Sequence, residues 1–188
     1  MKHGLIPGIL MLAIFVVTGS LTSGRQGMPS SDRAANSEMQ KLADALAGDW
    51  RTTESMVRSE YFPNGGSRQG LAHVRLVAGG ATLLEEVHSN GSAGPLDGIL
   101  AIWWDKNAQV YRFFTCFNDP TNPCEVRGTA HWEGKTFVND YEENVNGKMT
   151  KGRDTFFDIT PNSHSLVAAI DTGDGKMKTL ITTHSIRR

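Results

Sequence analysis

The sequence has little net charge, few cysteines, little helix and one apolar run of any length, and each scarcity removes a class of function. Nineteen basic and 20 acidic residues leave a formal charge of −1. Nothing in that balance favours nucleic acid or an anionic membrane. Six histidines include no H-x-x-x-H pair and no His-Glu-x-x-His, so no metal motif is present. No G-x-S-x-G elbow marks a nucleophile. Glu85-Glu86 and Glu142-Glu143 are neighbours in strand-like runs, so the members of each pair point to opposite faces and do not flank one substrate. Asp171-Thr172-Gly173-Asp174-Gly175-Lys176 lacks the alternating carboxylates of a calcium loop and reads as a hairpin turn. The expectation is a protein that is not an enzyme and carries no metal and no cofactor.

The apolar run lies at the start. Met1-Lys2-His3 is a short basic region, and Gly4 to Val17 is apolar over the length of a signal peptide rather than a membrane span. Thr18-Gly19-Ser20 supplies small residues for a peptidase, with the cut after Ser20 or Gly24; an uncleaved anchor is the alternative. No cysteine near the end of the run indicates a lipid anchor. This assigns 1–24 to a signal peptide, 25–36 to a polar, disordered spacer and 37–188 to the folded domain. The expected location is periplasmic or extracellular, without stable membrane insertion after cleavage.

What is abundant is turn chemistry. Twenty glycines mostly separate short apolar runs, as in a sheet protein with tight hairpins. Only one helix is legible. Ser37 and Gln40 fit a capping box, Met39, Leu42, Ala43 and Leu46 form one apolar stripe, and Gly48 stands where a helix stops. Beyond it come about ten strand runs: 50–57, 70–78, 81–89, 96–105, 109–117, 124–132, 135–143, 149–159, 164–171 and 176–186. Gly79-Gly80 reads as a two-residue hairpin, and Asn64-Gly65, Asn146-Gly147 and Asp174-Gly175 as turns. Short connections favour up-and-down antiparallel order, and closing the sheet removes its edges.

Leu46-Ala47-Gly48-Asp49-Trp50, after a short helix and at the head of the first strand, resembles the G-x-W signature of the calycins, which include lipocalins and fatty-acid-binding proteins. Residues 46–188 also resemble a family of exported bacterial proteins built from one lipocalin-like barrel with no assigned activity. The features are this stretch, Gly79-Gly80 before Leu83-Leu84-Glu85-Glu86, Leu96-Asp97-Gly98 leading into Ile102-Trp103-Trp104-Asp105, Tyr111-Arg112-Phe113 and Arg187-Arg188. The resemblance implies a mainly β, up-and-down antiparallel barrel of about ten strands with one short N-terminal helix and a central cavity.

Several residues are candidates for work. Cys116 and Cys124 flank one loop and form either a disulfide or two buried thiols. Trp104, Phe113 and Tyr141 are candidate linings for a small apolar or amphipathic ligand. His88 and Arg112 would anchor its polar end if they face inward, with Arg112 answering Glu86 across the sheet; facing outward they form a solvated rim, and alternation alone leaves both open. Nitrobindin-type barrels, also calycin-like, hold haem through a histidine near the C-terminus, which makes His184 the haem candidate. The other reading is an interaction scaffold with a filled barrel, in which Trp103-Trp104 form a contact surface or a homodimer interface.

Overall fold

The structure is a computed structural model that describes residues 30–118, 124, 126–145 and 147–188, with 30–34 and 145 as backbone only. The expected signal peptide and the beginning of the spacer lie outside these residues. One helix, α1 (Ser30–Leu46), precedes ten strands: β1 (Gly48–Met56), β2 (Gly66–Val77), β3 (Thr82–Gly91), β4 (Leu96–Asp105), β5 (Val110–Phe117), β6 (Arg127–Glu133), β7 (Thr136–Val145), β8 (Lys148–Phe157), β9 (Ser163–Asp171) and β10 (Met177–Arg187). The strands close into one antiparallel barrel in which each pairs with its neighbours in sequence and β1 pairs with β10. Closure leaves no edge of unpaired backbone groups.

The helix is longer than the sequence indicated. It begins at Ser30, so 30–36, expected as disordered spacer, belong to the helix, and Ser37 lies mid-helix instead of capping it. Periodicity registers only the buried face; Asp32-Arg33-Ala34-Ala35 extend the helix by propensity without adding to the stripe. The stripe itself is buried as expected: Met39, Leu42, Ala43 and Leu46 are at most 7 % exposed. Gln40 donates instead to Asp44, one turn on (2.7 Å). Two strand boundaries also move. Strand β2 starts at Gly66 rather than 70, and Cys124 precedes β6 instead of opening it. The Gly79-Gly80 signal is a four-residue connection between the paired Val77 and Thr82, folded as a single 3-10 turn.

Alternation decides what faces inward. In β5, Tyr111 and Phe113 are buried while Arg112 is exposed; in β1, Trp50, Thr52, Glu54 and Met56 are buried and the residues between them are exposed. The stripe of α1 packs over one barrel end against an inner layer that includes Trp50, Val74, Leu83, Ile102, Tyr111 and Phe137. Each fully buried Leu or Ile of that layer contributes roughly 1.5–3 kcal/mol. Tyr111 ties helix to barrel, its hydroxyl donating toward Glu38 (2.8 Å to Oε2) and accepting from Trp132 Nε1 (3.3 Å).

The G-x-W stretch is the junction of helix, first strand and last strand. Trp50 Nε1 donates to Leu46 O at 2.9 Å. The Arg187 guanidinium lies 4.3 Å from the Trp50 ring centroid, and its Nη2 donates to Ala47 O at 3.1 Å. Gly48 is required by that approach: a Cβ there would stand 2.1 Å from Arg187 Nη1, and its φ of +149° suits glycine alone.

Cys116 and Cys124 are bonded, which closes the β5–β6 connection. Cys116→Ser with Cys124→Ser is expected to lower stability by about 2–3 kcal/mol, the loop-closure value for so short a ring. Denaturant unfolding with and without reductant checks it: reductant should shift the wild-type midpoint and leave the double variant unmoved.

Candidate ligand-binding cavity

The core fills the helix-proximal half of the barrel. Toward the other end, where the 57–65, 92–95 and 172–176 connections lie, the interior opens into a cavity of about 330 Å³. Its apolar wall includes Val87, Leu96, Leu100, Phe117, Phe156 and Leu166. Its polar wall is dominated by acid: among the described residues, Glu54, Glu85, Glu143 and Asp154 face it against the one guanidinium of Arg68.

Glu54 and Arg68 answer each other from adjacent strands, Oε2 to Nη1 at 3.6 Å, both almost wholly buried. Burial raises the Glu54 carboxyl above the ordinary range, with Arg68 pulling the other way; burial likewise lowers Arg68. Burial, reinforced by Glu54, pushes the Glu85 carboxyl up to about 7. Asp154 also rises to about 7; desolvation leads, the Tyr141 hydrogen bond opposes it and Glu143 adds to it. Tyr141 donates from its hydroxyl to Asp154 Oδ1 at 3.2 Å. Desolvation, then the nearby Asp154 and Glu143, raise its phenol well above the usual value. His164, packed edge-on against Trp50 at 4.6 Å, is pushed down to about 4 by burial, with His184 and Arg187 adding to it.

Three buried polar atoms of the lining residues have no hydrogen-bond partner among the described residues: Thr52 Oγ1, Arg68 Nε and His164 Nδ1. Buried polar atoms in folded proteins are nearly always satisfied by protein, water or ligand.

The residues singled out in the sequence divide. Tyr141 lines the cavity. Its ring rests over Gly152, where a Cβ would come within 2.1 Å of Cε2. Phe113 is inward but sits behind Tyr141, ring centroids 6.1 Å apart, and does not line the space. Trp104 is also inward but packs on Tyr111 at the helix end, 4.8 Å between centroids. His88 and Arg112 are on the outer wall: His88 Nδ1 bonds Asp97 Oδ1 at 2.7 Å, and Arg112 Nε donates to Asp105 Oδ2 at 2.6 Å. Glu86 is held by Arg75, not by Arg112. The inward placement of both anchors is therefore corrected, because each shares strand parity with solvent-facing neighbours. His184 is exposed and shares a hydrogen bond with Ser165 (3.2 Å), outside the cavity, so it does not fit a haem held within the barrel. His88→Ala and Arg112→Ala are expected to leave both ligand uptake and the unfolding midpoint unchanged, as measured by dye titration and denaturation.

Sequence reasoning missed Glu54, Arg68, Glu85, Asp154 and His164. A signal existed for two of them. Glu85 stands at period two between Leu83 and Val87, and Glu54 follows Trp50 and Thr52 on the same face.

A closed antiparallel barrel, plugged by a helix at one end and hollow toward the other, defines a calycin-like fold. Comparison with solved structures agrees. An S-type phycobiliprotein lyase, CPES from Guillardia theta, aligns with a TM-score of 0.53 at 13% identity, over 79% of this chain and 92% of that one. The protein Rv2717c from M. tuberculosis aligns with a TM-score of 0.56 at 13% identity, over 80% and 96%. At such identities the likeness is one of fold. No family model and no curated protein matches the chain.

Proposed function

We propose that the protein is an exported, non-enzymatic binding module that holds a small, partly apolar molecule in the hollow half of its barrel. The observation that carries this is the cavity of about 330 Å³ whose lining includes buried polar atoms without partners. That volume is at the lower end of small-molecule sites, and such sites are mostly apolar with a few converging polar groups. The phycobiliprotein lyase is a barrel of the same fold. Export is supported by the basic start, the Gly4–Val17 run and the small residues after it. The Cys116–Cys124 bond agrees with an oxidising compartment. The filled-barrel scaffold has less support, since the interior is not filled and Trp104 is turned inward.

Native mass spectrometry of protein secreted from an export-competent host, followed by titration with N-phenylnaphthylamine, tests the proposal. The expected result is a retained small molecule that leaves on activation, or dye uptake with a blue-shifted emission. Protein that carries no adduct and takes up no dye overturns it.

A further inference from the structure

Resting on that reading, we infer that the cavity selects an amphiphile with a basic nitrogen, whose ammonium or amidinium head lies against Asp154 and whose apolar body extends along the wall of Leu96, Leu100 and Phe117. Among the described residues four carboxyls face the space and one guanidinium, Arg68, answers them. That guanidinium is committed to Glu54, on the β1–β2 side of the ring. Strand β8 lies across the barrel from β3 and from this pair. On that far side Asp154 meets Tyr141, Glu143 and, through them, Tyr61, and no basic side chain among the described residues bears on it.

Once Glu85 and Asp154 ionise above about 7, an anionic head, as in a fatty acid, would enter a space rich in negative charge, whereas a cation supplies the charge that is missing. Asp154 is preorganised for it. The Tyr141 hydroxyl donates to Oδ1, while Gly152 makes the room for the Tyr141 ring. The Tyr61 and Tyr141 rings stand in the same lining, and aromatic rings attract cations. Thr52 Oγ1 and His164 Nδ1, buried in the same lining and without partners, mark polar positions that a ligand or its water would satisfy. The cation is an organic one. Among the described residues no three His, Cys, Asp or Glu side chains are disposed to hold a metal ion, and much of the wall is aliphatic and aromatic.

Proton coupling follows. Burial holds the Asp154 proton to about 7, so a cation binds with release of a proton below that value and without one above it. The titratable groups that face the cavity with it are Tyr61, Tyr141 and Glu143 nearby, His164 on the adjacent β9, and Glu54, Arg68 and Glu85 across the space.

The test is a matched series of octylamine, octanol and octanoate, displacing N-phenylnaphthylamine from the full folded domain at pH 8. Octylamine should bind about tenfold or more tighter than either of the others, the value of one charge-assisted contact. Asp154→Asn should remove most of that preference while octanol affinity stays the same, and the amine preference of the wild type should fall between pH 8 and pH 5. Octanol or octanoate binding as tightly as octylamine to the wild type overturns the inference and leaves the binding module standing. No uptake of dye or of any of the three overturns both.

Discussion

Trp50→Ala should cost about 3–5 kcal/mol of folding stability, the range for truncating a fully buried tryptophan. Trp50 is 0 % exposed. Its ring is covered by the Arg187 guanidinium on one side and touched by His164 on another, and its Nε1 supplies Leu46 O with a hydrogen bond at the end of α1. Removing it therefore opens a void at the point where helix, first strand and last strand meet, and leaves a helix-terminal carbonyl unanswered. A domain of this size has only about 5–15 kcal/mol in hand, so the variant would lose a third or more of it. Trp50→Phe separates the contributions. It keeps most of the packing and loses the hydrogen bond, so its cost should be nearer 1–2 kcal/mol. Guanidinium unfolding followed by far-ultraviolet circular dichroism reads both. A loss below about 1 kcal/mol for Trp50→Ala would show that this junction does not hold the barrel closed.

Stability should fall by about 3 kcal/mol between pH 5 and pH 8, against the usual trend for carboxylates. The sign comes chiefly from three groups, and the raised carboxyl of Glu54 acts in the same direction as the acids among them. Glu85 and Asp154 keep their protons to about 7 when folded, whereas unfolded carboxyls lose theirs near about 4. Between those values the native chain holds two protons that the unfolded chain lacks, so raising the pH favours unfolding. His164 acts the other way. It stays neutral down to about 4 when folded, while an unfolded histidine takes up a proton near about 6.5. From roughly pH 5 to 6.5 the native state therefore holds a net excess of about one proton, worth about 1.4 kcal/mol per pH unit. Near pH 7 the histidine drops out and the two carboxyls act alone until they ionise.

Asp154→Asn should flatten the profile, leaving less than about 1 kcal/mol between pH 5 and 8, because Glu85 and His164 then nearly cancel. It should also be the more stable protein at pH 8. Denaturant midpoints across that range measure it, and a wild type that is more stable at pH 8 than at pH 5 would refute the assignment. Burying Glu85 and Asp154 where their protons hold to about 7 costs stability at neutral pH, the usual cost of a preorganised polar site.

The sequence by itself determined the elements and their order. Each of the ten strands lies within a few residues of its expected run, because period-two alternation and glycine-rich turns are local properties of the chain. The buried stripe of α1 and the G-x-W junction were legible for the same reason, as was the opposite facing of Glu85 and Glu86. The start of α1 at Ser30 was not, since a helix that continues by propensity alone leaves no apolar signature. The tertiary structure decided the site. Whether a polar strand residue faces a cavity or solvent depends on parity set by its apolar neighbours and on which strands close the ring. His88 and Arg112 fell outside on that count, and Glu85, Asp154 and His164 fell inside. Closure also placed Asp154 and Glu85 on facing walls although 69 positions separate them in the chain. The excess of acid over base in the interior comes from that juxtaposition, and no window of sequence contains it.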